Sequence, residues 1–113
     1  NIRRDVDRMK TYFRENRDVT ALLCIDYNIM KICETAAREV GLRIPEDLSL
    51  VCFDAPDDGF AEYEYTHIRQ PERQIGIQSV RMLLDVIHGN RTPQYVLLPT
   101  ELCIGTSTEK PFR

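Results

Sequence analysis

Long apolar runs are missing from this sequence: the longest, Ala21 to Ile25, spans only a few residues, whereas a membrane-crossing helix needs about 20. No apolar stretch interrupts the charges between Asn1 and Lys10, so no secretion signal is visible. The opening Asn1, in place of Met, is what a piece of a longer chain would show. Basic charge is in deficit, with 15 Lys plus Arg against 18 Asp plus Glu and a formal charge of -3. A phosphate backbone is gripped by a basic stripe, so nucleic acid would have to be touched by another part of the protein.

Signature motifs are equally scarce. There is no GxGxxG, no GxxxxGK followed by Ser or Thr, and no GxSxG, so dinucleotide binding, P-loop phosphate binding and the Ser-hydrolase elbow lack their marks. The spacings of Cys24, Cys33, Cys52 and Cys103 fit neither a redox CxxC pair nor a zinc knuckle. All four sit in apolar runs and are expected to be small buried hydrophobes in a reducing cytosol, with no metal and no cofactor. His67 and His88 are the only histidines. His88 falls at a helix C-terminus and His67 beside apolar neighbours, so no nucleophile and base pair up and no enzyme is expected.

What is present is ordinary globular usage: 113 residues, 42% hydrophobic and 29% charged, enough for one domain with a modest core. Ile2, Val6, Met9 and Phe13 recur at helical spacing, which predicts a helix over 5–16. Val19 to Ile25 is a continuous apolar run, expected to be a strand buried on both faces. Ile29, Ile32, Cys33, Ala36, Ala37 and Val40 form the cleanest helical stripe, with Lys31, Glu34, Thr35, Arg38 and Glu39 outside it. Gly41 stands at the left-handed position that ends such a helix, followed by Leu42 and Pro45. Leu48 to Phe53 predicts a second strand, closed by turn formers from Asp54 to Gly59. Thr66 to Arg69 reads as a short strand or extended linker. Pro71 opens a heavily buried helix that stops at His88-Gly89-Asn90, and two last runs, Tyr95 to Leu98 and Glu101 to Ile104, flank Pro99-Thr100.

Alternation of helices with apolar strands predicts an α/β class, an open parallel (Rossmann-like) sheet with ligand chemistry along the edge where the strands end. Asp26 and Asp54 both fall immediately after a strand. A carboxylate there either caps the element that follows or accepts hydrogen bonds from ligand hydroxyls, each worth about 1.5 to 3 kcal/mol. Two at equivalent positions favour a ligand. Phosphoacceptor receiver domains need a clustered acidic pair after the first strand and a Lys after the last, and neither is present.

Four segments together, residues 20–28 (TALLCIDYN), 39–54 (EVGLRIPEDLSLVCFD), 66–71 (THIRQP) and 97–102 (LLPTEL), resemble the C-terminal part of a LacI-type transcription regulator of the lac repressor and galactose repressor family; regulators with a GntR-type head share them. The resemblance runs from about Asp5 to Thr108. It implies a fragment of a two-lobed sensor of the type I periplasmic-binding-protein kind, with 5–65 in the C-terminal lobe and 66–113 supplying hinge crossings and an N-terminal-lobe helix and strand. It further implies a cytoplasmic homodimer that binds a small-molecule effector, expected to be a sugar, and touches operator DNA through a head absent from this chain. Asp26, Tyr27 and Asp54 match its effector-contacting positions, and Lys31, Thr35, Ala61 and Glu62 its dimer interface. Three positions depart from the family pattern: Asp26 stands for the usual Asn, Tyr27 for Asp and Cys52 for Gly. A carboxylate pair favours neutral polyhydroxylated or cationic ligands over sugar phosphates. The rival reading is an extracytoplasmic sugar-binding protein of a transport system, which would carry a secretion signal. Sheet elements cut from their neighbours are also expected to self-associate.

Overall fold

In the computed structural model, residues 1–56, 64–90 and 95–112 are described. They divide into one unit of Asn1–Arg69 with Leu102–Arg113 and a second of Gln70–Glu101. The elements run α1 (Ile2–Glu15), β1 (Ala21–Cys24), α2 (Tyr27–Glu39), β2 (Ser49–Phe53), β3 (Thr66–Arg69), α3 (Glu72–Ile87) and β4 (Glu101–Cys103). The strands form one sheet in the order β1-β2-β3-β4. β1 and β2 are parallel, as are β2 and β3.

Local chemistry explains where the helices of the first unit begin and end. The Asn1 side chain caps α1 by accepting from the Arg3 amide at 3.1 Å, and Val6 and Phe13, two turns apart, are buried. Ile2, expected in the same stripe, lies in the first turn and is 72% exposed. α2 ends as the sequence suggests. Gly41 takes φ +84, the Leu42 amide donates to the Ala37 carbonyl at 2.9 Å and the Gly41 amide to Arg38 at 3.1 Å, which is a complete Schellman cap. Met30, Cys33, Ala36 and Ala37 meet Leu50 and Cys52 in the core. Burying Met30 and Leu50, both at 0% exposure, contributes about 1.5 to 3 kcal/mol each.

Three expectations change. β1 is covered on one face only: Cys24 is buried, but Leu23 is 63% and Ile25 73% exposed. α2 lies beneath the Cys24 side of the sheet, and none of the described elements covers the other. α3 is a helix as expected, yet none of its residues is buried, and Val80, Leu83 and Ile87 are all more than half exposed. One helix with an irregular segment cannot close a core. Finally, Tyr95 to Leu98 forms no strand, and only Glu101–Cys103 of the last two runs does.

Candidate functional site

The register of β1 and β2 sets the site. Cys24 lies opposite Cys52 on parallel strands about 4.8 Å apart, so Asp26 and Asp54, each two residues further on, leave the sheet along the same edge. Asp54 turns out of β2 with φ +55, a left-handed conformation that Asp tolerates better than most residues. Its backbone N–H donates to the Ile68 carbonyl at 3.0 Å, tying the turn to β3.

Asp26 is the N-cap of α2, its Oδ1 accepting from the Ile29 amide at 2.8 Å, a bond that contributes about 1 kcal/mol to the helix. The capping role read from the sequence is therefore filled by one oxygen. Oδ2 makes no bond to the described residues. Tyr27 follows in the first turn and packs edge-on against Tyr65, with ring centroids 5.8 Å apart. Burial pushes the Cys52 thiol up to about 11, and the carboxylates of Asp54 and Asp26 both add to the effect. Two acids from different strand ends thus act on one thiol. Cys24 is raised further, first by its contact with Cys33 and then by burial, while the same contact lowers Cys33.

Lys31 and Thr35, a turn apart on α2, engage partners within the chain. Thr35 donates to the Lys31 carbonyl at 2.8 Å. The Lys31 ammonium donates to Glu34 at 2.7 Å and to the Tyr65 hydroxyl at 3.1 Å. Burial opposes its charge, but these bonds outweigh that and hold its pKa above the usual lysine value. Ala61 and Glu62 lie outside the described residues.

Glu34 escaped the sequence reading, which placed it on the solvent side of α2. It is 4% exposed, paired with Lys31 and, at 3.0 Å, with Arg38. The flanking i+4 basic residue was the available signal, because a carboxylate can be buried when cations reach over it. His67 bonds the Tyr65 carbonyl through Nδ1 at 2.8 Å and His88 caps α3. A groove of about 230 Å³ in the second unit, lined by Ile75, Met82, Val96 and Leu98 among others, contains neither acid. Among the described residues no cluster of His, Cys, Asp or Glu is arranged to hold a metal, and no helix is long and apolar enough to cross a membrane.

A sheet that presents polar groups at its strand ends matches a known family. Residues 3–108 match the model of the periplasmic binding protein-like domain. The chain belongs to this family, in its LacI-type branch. It is 34% identical over 98 residues to the HTH-type transcriptional regulator MalR of Streptomyces coelicolor, an alignment covering 84% of this chain and 28% of that protein. Among solved structures it is similar to the dimeric Lac repressor, with 28% identity, a TM-score of 0.81, and coverage of 95% of this chain and 40% of that one. The regulator CelR in complex with cellobiose gives 28% identity, a TM-score of 0.81, and coverage of 95% and 33%. The chain therefore spans under a third of the Streptomyces relative's length. It has the open α/β sheet expected of that fold.

Proposed function

We propose that this chain is the effector-sensing and dimerising part of a bacterial, cytoplasmic transcription regulator, binding a small polyhydroxylated molecule, a sugar, with Asp26, Tyr27 and Asp54. The observation that carries this reading is the shared edge of the two acids, whose carboxylates both bear on Cys52. A relative crystallised with cellobiose supports the ligand class, and the operator-bound Lac repressor dimer supports control of DNA through a head outside this chain. Dimer contacts would run along the α2 flank of Lys31 and Thr35 and through Ala61 and Glu62. Relatives named as regulators, together with four free cysteines, favour this over an extracytoplasmic sugar-binding protein and over an enzyme.

The mechanism is a population shift: the effector binds one lobe arrangement more tightly than the other, and the switch is only as strong as that difference. The test is calorimetric titration of the intact regulator with cellobiose, maltose and lactose. Whichever sugar binds should do so at least tenfold more weakly to Asp54→Ala, with operator affinity retained. An unchanged titration would exclude Asp54 from the site.

A further inference from the structure

The edge of the sheet opposite the two acids carries a groove that the sensor function does not use. Val19 lies just before β1, and Val40 and Leu42 lie where α2 ends, so these residues gather where the strands begin. Together with Phe13, Arg14 and Arg17 from the end of α1, and Phe112, they line a space of about 340 Å³ within the first unit. Asp26 and Asp54 leave the sheet along the other edge.

The floor of the groove is apolar and open. Phe13 is buried, whereas Val19, Val40 and Leu42 pack against the core only in part, and Phe112 is 63% exposed. A ring laid there would remove apolar surface from water, and two phenyl groups offer it edge-to-face contacts. The rim is positive. The carbonyl end of α1 carries about half a negative charge, which the Arg14 guanidinium alone outweighs. Arg14 forms no ion pair with the described residues, and no acid is among the described residues lining the groove. A guanidinium beside an apolar floor fits a planar carboxylate attached to a ring. A polyhydroxylated ligand would strand its hydroxyls on this floor, so the groove suits a different class from the one proposed for the acids.

We propose that this groove is a second ligand site, for a small aromatic carboxylate, with the ring on Phe13, Val19 and Leu42 and the carboxylate on Arg14 and Arg17. The site stands whether or not the sensor function does, because its test uses neither sugar nor operator. Phenylacetate and its uncharged counterpart phenylacetamide are titrated against the full chain at fixed ionic strength, with binding followed by saturation-transfer NMR of the ligand. Phenylacetate should bind saturably in the millimolar range and about tenfold more tightly than the amide. Arg14→Gln should remove most of that preference and leave the amide unchanged, while Phe112→Ala should weaken both ligands about threefold. Both side chains are exposed, so neither variant should lose helix content, and Asp54→Ala should bind phenylacetate as the unsubstituted chain does. Equal affinity for acid and amide, indifference to Arg14→Gln, or loss of binding in Asp54→Ala would each overturn the proposal. So would phenylacetate binding that fades as the chain is concentrated, which would seat a second copy in the groove. Binding by this chain that the intact regulator lacks would overturn it too, since another part of the protein would then fill the groove.

Discussion

The Tyr65 hydroxyl donates to the Glu34 carboxylate at 2.9 Å, joining α2 to the residue just before β3 across 31 positions of sequence. Lys31 meets the same carboxylate oxygen and lies 5.6 Å from the centroid of the Tyr65 ring. Removing the acid would leave two cations facing a void in the protein. Glu34→Ala should therefore destabilise the chain by about 2 to 3 kcal/mol, below the cost of a fully buried pair because Lys31 and Arg38 remain half exposed. Tyr65→Phe, which keeps the ion pairs, should cost about 1 kcal/mol. Urea unfolding of the two variants beside the unsubstituted chain measures these costs, and midpoints equal to that of the unsubstituted chain would show that the network contributes nothing.

Glu34 also marks the limit of what periodicity reveals. The α2 stripe, its Gly41 cap and the parallel strands at 21–24 and 49–53 were legible, because local spacing and turn chemistry dictate them. The strand ends placed Asp26 and Asp54 on one edge for the same reason. Burial was less legible where it depends on partners far away in sequence. Glu34 is covered by Tyr65, and Ser107 finds Leu50 and Thr66. In the opposite direction, apolar runs usually mark burial, yet Leu23 and the apolar residues of α3 are exposed, because burial needs a covering layer that the described residues do not supply.

The link between α1 and α2 should show in the pH dependence of stability. Glu39 is bonded by Arg3 at 2.7 Å and by Lys10 at 2.9 Å, which brings its pKa down from 4.5 to about 2. A folded-state pKa below the unfolded one means stability present above about pH 4.5 and lost as the pH falls toward 2. Arg3→Ala should move the Glu39 titration, followed by carboxyl NMR shifts, back toward 4.5. High salt should shrink the difference, since Arg3 lies exposed beside Glu39. A Glu39 midpoint indifferent to Arg3 would contradict the pairing.

Thiol reactivity tests the placement of the two acids. Cys24, Cys33 and Cys52 are buried, while Cys103 is partly exposed. A disulfide reagent should modify Cys103 first, with the other three following only on unfolding. Asp54→Asn and Asp26→Asn should each lower the Cys52 pKa from about 11, because both carboxylates raise it, a shift read from the cysteine Cβ resonance in an NMR titration of the folded protein. If either substitution left the Cys52 titration unchanged in a folded protein, that acid would not lie along the shared edge.

β1 carries the last prediction. It is one of the two edge strands of the described sheet, and Leu23 within it and Ile25 just after it have 63% and 73% of their surface exposed. An apolar edge strand invites pairing with another copy, and in the second unit the exposed Val80, Leu83 and Ile87 offer a further apolar patch. The isolated chain should scatter light as a species heavier than 13.2 kDa, increasingly so with concentration. Leu23→Lys places a charge on the uncovered face without touching the buried Cys24 side, so it should shift the population toward monomer with little change in helix content. A monodisperse monomer before substitution would show that the edge is protected without a partner.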